Sequence, residues 1–136
     1  MLYPIAIEPG DEHHAFGVIV PDIPGCFSAG DTLDEALHNV HEAIDGHLSL
    51  LSDDQSSIPM ASSIQAHVNN PDYAGFIWAV VDIDITRYLG KSTKLNITLP
   101  ASLIRRIDEC VATHPEFKSR SGFLASTALE KLLSLH

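Results

Sequence analysis

At 136 residues, with 45% hydrophobic and 19% charged residues, the sequence has room for one ordinary domain, or for a small domain joined to a module that completes its core with a second chain. That balance excludes a disordered chain, and no stretch approaches the roughly 20 consecutive apolar residues of a membrane span. The net charge of −10 is unevenly held: all eight basic residues lie at or beyond Arg87 and fourteen of the eighteen acidic ones before it, so residues 1–86 carry −14 and residues 87–136 carry +4.

Two segments with different partners are therefore expected, and only the second suits nucleic acid. The start, Met1-Leu2-Tyr3-Pro4, has no basic region followed by an apolar run, so a cytoplasmic protein is expected. Cys26 and Cys110 fall in different segments without CxxC spacing and read as free, partly buried thiols with no basic neighbour to mark a nucleophile.

Leu2 to Ile7 and Ala15 to Val20 read as strands of a hairpin, joined across Pro9-Gly10-Asp11-Glu12. Pro21, Pro24 and Gly25 break the chain before a third strand, Cys26 to Gly30. Thr32 followed by Glu35 has the spacing of a capping box, which starts a helix running to about Leu51. Leu33, Ala36, Leu37, Val40, Ile44, Leu48 and Leu51 form its apolar stripe. Residues 52–63 have loop composition, a short helix is expected over Ser63 to Val68, and Asn69-Asn70-Pro71 ends it. Phe76 to Ile85 is mostly β-branched or aromatic and predicts a buried strand that emerges at Asp82 and Asp84. The order β-β-β-α-(α)-β gives an α+β domain with a three- or four-stranded sheet and a helix on one face.

The run Val20-Pro21-Asp22-Ile23-Pro24-Gly25-Cys26-Phe27-Ser28-Ala29-Gly30-Asp31-Thr32-Leu33-Asp34-Glu35-Ala36 resembles the signature of HicB antitoxins, and the spacing P-D-x-P-G-C-x-x-x-G-D-T-x-x-E-A carries the likeness. The resemblance extends over essentially the whole chain. It implies a partly degraded RNase H-like N-terminal domain over residues 1–86, a linker over 87–93, and a C-terminal ribbon-helix-helix module over 94–136, where another branch of the family has a helix-turn-helix. It also implies a partner, a small basic HicA-type ribonuclease whose active site the antitoxin covers. The toxin-contact residues are not carried by the signature, which consists largely of turn and cap residues.

In Lys94-Leu95-Asn96-Ile97-Thr98-Leu99-Pro100 the alternation is strict, with Leu95, Ile97 and Leu99 on one strand face and Lys94, Asn96 and Thr98 on the other. Leu103, Ile104, Ile107 and Val111 then predict a helix of about three turns, ended by His114-Pro115. Ser119 caps a second helix with Phe123, Leu124, Ala128, Leu129, Leu132 and Leu135 as a broad apolar surface. One strand and two short helices cannot bury this surface alone, whereas two copies can pair their strands antiparallel into a ribbon. A ribbon fits the major groove of B-DNA: Lys94 can donate to guanine, Asn96 can pair with adenine, and Thr98 can donate or accept. The resemblance to ribbon-helix-helix repressors assigns base reading to these three and a phosphate clamp to Ser119, Arg120 and Ser121, at a helix N-terminus that favours an anion.

Other chemistry remains open at this level. An RNase H-like ancestry raises a Mg²⁺-dependent nuclease built from Glu8, Asp22, Glu42, Asp45, Asp82 and Asp84, although their spread has no recognisable four-acid arrangement. His38, His41, Glu42 and Asp45 share a helix face and suit a metal- or ligand-responsive repressor, but His41-Glu42 is followed by Asp45 where a zincin has histidine. Tyr73, Phe76 and Trp78 read as core. The preferred expectation is a type II antitoxin and autorepressor. It is not an enzyme and needs no cofactor; it binds operator double-stranded DNA as a homodimer, and the N-terminal domains extend the assembly to a tetramer.

Overall fold

Hairpin chemistry and one strong helix cap organise the first ninety residues. The computed structural model describes residues 1–135 and contains two compact units, Met1–Gly90 and Lys91–His136, the last residue of which lies outside the described residues. In the first unit, β1 (Leu2–Glu8), β2 (Phe16–Ile19), β3 (Phe27–Gly30) and β4 (Ile77–Asp82) form one antiparallel sheet in the order β3-β2-β1-β4. The pairings Ile7 with Val18 and Ile5 with Ala79 place Tyr3, Ile5, Ile7, Val18 and Val81 on one face.

That face lies beneath α1 (Leu33–Asp53), whose Ala36, Val40, Ile44 and Leu48 are completely buried. Fully burying a side chain the size of Val40, Ile44 or Leu48 contributes about 1.5–3 kcal/mol. The Ser28 hydroxyl donates to the Ala36 carbonyl at 2.9 Å and ties β3 to the helix. Thr32 Oγ1 accepts from the Glu35 N–H at 3.1 Å, as the capping spacing predicts. The returning Glu35 carboxylate takes the N–H of Asp31 at 3.3 Å, one residue earlier than the box requires.

The expected strand over Phe76–Ile85 is shorter and lies at an edge: β4 pairs only with β1, and Ile77 and Val80 are 53% and 48% exposed. β-Branched composition reports strand propensity, whereas edge position is set by topology. Past β4, Asp84 caps a 3₁₀ turn over Ile85–Tyr88, accepting from the N–H of Thr86 at 3.1 Å and from its hydroxyl at 2.6 Å. Tyr88 then donates its hydroxyl to Asp45 on α1, and Arg87 lies 3.6 Å from the same carboxylate. These contacts hold Arg87 and Tyr88 within the first unit. The short helix expected over Ser63–Val68 is a 3₁₀ turn at Ile64–Ala66, followed by another at Pro71–Tyr73. They set His67 parallel to Trp78, with centroids 6.1 Å apart, and Tyr73 edge-on to Trp78 at 5.5 Å. The second sheet face is thus covered at Trp78.

Burial pushes the Tyr3 phenol, which donates to the Pro59 carbonyl at 2.7 Å, up to about 12, with the negative charge of Asp22 adding to the effect. The Tyr88 phenol is also pushed to about 12, by burial and then by its hydrogen bond to Asp45, and burial raises the Cys26 thiol to about 11. All three hold their protons more tightly folded than unfolded. Their contribution to stability is complete below the ordinary values near 9 and 10 and is lost as pH rises toward 12. In a Tyr73→Phe protein, phenolate absorbance is expected to appear together with the loss of circular dichroism. Phenolate formation near pH 10 in a still-folded protein would contradict this.

The second unit contains α2 (Ala101–Thr113), a 3₁₀ turn at Pro115–Phe117 and α3 (Arg120–Ser134). Phe117 meets Phe123 edge-on at 5.1 Å. Among the described residues of this unit only Ile107 is a buried hydrophobic, whereas Leu95, Ile97, Leu132 and Leu135 are 58–78% exposed. Residues 94–99 form no strand in the single chain, because a β-ladder needs a second strand to accept and donate its hydrogen bonds.

Candidate nucleic-acid and partner interfaces

Lys94, Asn96 and Thr98 all lie exposed in the irregular segment that leads to Pro100. Ser119 caps α3 as its sequence position predicts, its Oγ accepting from the Gly122 N–H at 3.0 Å. Ser121 is exposed in the first turn.

Arg120 is differently placed from a free cation. Its Nε donates to Asp108 Oδ1 at 3.0 Å and its Nη2 to Oδ2 at 2.8 Å. The hydrogen bond from Arg120 holds the Asp108 carboxyl below the usual carboxylate range, and Asp108 in turn raises Arg120. This side-on pair uses two of the five guanidinium N–H groups and leaves Nη1 free. The α2 carboxylate therefore offsets the charge that the sequence assigned to a phosphate clamp. Asp108 was not singled out in the sequence because the two residues are twelve positions apart, on different helices.

The six carboxylates weighed for nuclease chemistry are separately engaged. Asp22 accepts from the Ser62 N–H at 2.7 Å and from the Ser62 hydroxyl at 2.8 Å, and lies 3.0 Å from His67 Nε2. Ser62 Oγ is 2.8 Å from that same nitrogen. Both contacts of His67, to Ser62 and to Asp22, fall on the one nitrogen Nε2, so the trio does not have the relay geometry of a nucleophilic triad, in which the two ring nitrogens face different partners. It joins the turn after β2 to the segment that covers the second sheet face. Asp45 holds Tyr88, Asp82 lies 3.4 Å from the N-terminal amine, Asp84 caps its turn, Glu42 lies 3.7 Å from His38, and Glu8 lines a cleft described below. Among the described residues no group of three or more His, Cys, Asp or Glu is placed to hold a metal ion, so His38, His41, Glu42 and Asp45 do not form a ligand set.

Cys110 does have a basic neighbour, contrary to the sequence expectation. His114 Nδ1 lies 3.7 Å from its sulfur, but that nitrogen is also 3.0 Å from the Cys110 carbonyl and 2.9 Å from Thr113 Oγ1. No helix among the described residues is long and apolar enough to cross a membrane.

A family model described as "HicB_like antitoxin of bacterial toxin-antitoxin system" matches residues 3–128. The 14.9 kDa protein in the rep-hol intergenic region of Haemophilus phage HP1 is 50% identical over 134 residues, 98% of this chain and 99% of its own. The crystal structure of the Burkholderia pseudomallei antitoxin HicB is 40% identical and superposes with a TM-score of 0.73, covering 97% of this chain and 98% of that one. A chain of the HicA3 and HicB3 toxin-antitoxin complex is 32% identical with a TM-score of 0.52, covering 62% of this chain and 99% of that one.

Proposed function

The chain belongs to the HicB-like antitoxin family of bacterial toxin-antitoxin systems, and from that premise we propose a division of labour between its two units. The first sequesters a HicA-type ribonuclease, a basic protein suited to a unit with fourteen Asp and Glu residues against Arg87 as its one Lys or Arg. Its RNase H-like ancestry is part of this proposal. The second forms a ribbon-helix-helix homodimer that binds operator double-stranded DNA and represses its own operon in the cytoplasm. Pairing through the first units extends the dimer to a tetramer.

The observation that carries the DNA-binding half is the bare apolar surface of the second unit. Leu95 and Ile97 are 78% and 62% exposed in a segment whose alternate residues are Lys94, Asn96 and Thr98. Pairing with a second copy buries the first set and presents the second set to a groove.

Gel-shift titrations at several salt concentrations test the assignments. Asn96→Ala is expected to abolish preference for the operator while leaving the dimer intact. Unchanged operator affinity would remove its base-reading role. Arg120→Ala is expected to weaken binding to all sequences alike and to lower the salt slope of the dimer by about 1.8, one phosphate contact from each copy. Asp108→Asn should have the opposite sign, tightening binding to all sequences, because it removes the carboxylate that offsets Arg120.

A further inference from the structure

The second face of the sheet is covered at Trp78 but left open over β2 and β3. The pairing of Ile19 with Phe27 and of Gly17 with Ala29 puts these four on the open face, together with Glu8 opposite Gly17. Glu8, Gly17, Ile19 and Phe27 border a cleft of about 390 Å³ between the strands, the Pro21–Cys26 turn and Tyr73. Phe27 stands at its edge 70% exposed, on a strand that pairs only with β2. An exposed aromatic beside an apolar cleft is the usual form of an interface anchor.

The surroundings select the occupant. Glu8 lines both this cleft and an adjoining hollow with Asp11, and a neighbouring hollow adds Glu12 and Asp31. No Lys or Arg lines any of the three. The sole Lys or Arg of the unit, Arg87, is paired with Asp45 on α1. A second copy of this acidic surface would meet like charge, whereas a basic protein meets its complement.

We propose that the cleft over β2 and β3 is the toxin-docking surface. It takes an apolar side chain from a segment of the basic toxin, while flanking lysines or arginines of that segment meet Glu8, Asp11, Glu12 and Asp31. The inference rests on the toxin-neutralising reading above and gives it a location. Gly17 makes the cleft testable without loss of fold, because a Cβ added there would meet only the Glu8 side chain, at 3.6 Å, an ordinary contact. Valine also suits a strand.

The test measures binding of the full chain to its HicA-type toxin by calorimetry, with operator binding and thermal unfolding in parallel. Phe27→Ala removes the anchor and Gly17→Val fills the cleft. Each is expected to weaken toxin binding at least 30-fold with unfolding and operator affinity unchanged. Val80→Ala, an exposed apolar residue on the same face at the opposite edge, should bind toxin as the native chain does. Glu8→Gln with Asp31→Asn should slow association and flatten its salt dependence. Native-like toxin binding by both cleft variants would overturn the docking site while leaving the antitoxin reading intact. Loss of an oligomer in Phe27→Ala with toxin binding retained would assign the cleft to a second copy and overturn it as well. A native chain that fails to bind the toxin would overturn the antitoxin reading itself.

Discussion

Gly30→Ala is expected to destabilise the first unit by about 3 kcal/mol, a shift in melting temperature on the order of 15 °C for a unit of this size. Gly30 ends β3 two residues before the Thr32 cap, and the chain turns so tightly that a Cβ would lie 2.5 Å from the Ala36 nitrogen and 2.9 Å from the Glu35 carbonyl carbon. Both are backbone atoms of the first turn of α1. They cannot give way without breaking the Thr32 cap or lifting the helix from the sheet, where Ala36 is completely buried. Thermal unfolding followed by circular dichroism measures the effect, and a midpoint within a few degrees of the native protein would show that the strand-to-helix passage is looser than described.

Ile97→Asp is expected to abolish pairing through the ribbon, halving the mass of the assembly to dimers held by the first units, and to lower operator affinity at least 100-fold. In the proposed ribbon Ile97 faces the shared apolar layer, so the substitution buries two carboxylates, one from each copy, without a partner. Each desolvated charge costs several kcal/mol, and every 1.4 kcal/mol is a factor of ten in affinity. Light scattering gives the mass, and gel shifts give the affinity. Toxin binding by the first unit should survive, since that unit has its own core in Ile5, Val18, Ile44 and Leu48. An assembly of native mass with native operator affinity would remove the ribbon.

The features that were legible in the sequence are short-range ones. The turn at Pro9–Glu12, the Thr32 and Ser119 caps and the stop at His114-Pro115 depend on neighbours within a few positions; α1 and α3 begin at those caps and α2 ends at that stop. Edge position was hidden: Ile77 and Val80 look like core residues until β4 takes its place outside β1. The partners of Asp22 were hidden for a related reason, because Ser62 and His67 lie forty and forty-five positions away on an irregular segment with no periodicity to read. The cleft beside Phe27 depends on both failures, since it exists only where the covering segment stops short. In the C-terminal module the polar triad was legible as a pattern. The pairing of Arg120 with Asp108 was not, because helix-to-helix geometry decides it.

The unpaired state of residues 94–99 bears on regulation by dose. If this segment becomes a strand only beside a second copy, then folding of the reading head is bimolecular, and its population follows the square of the free chain concentration when dimers are scarce. A twofold fall in antitoxin would then lower the DNA-competent species about fourfold. The first unit carries its own sheet and core, so toxin capture falls only in proportion. As the protein is depleted, derepression of the operon would come before release of the toxin, so that resupply begins while neutralisation still holds.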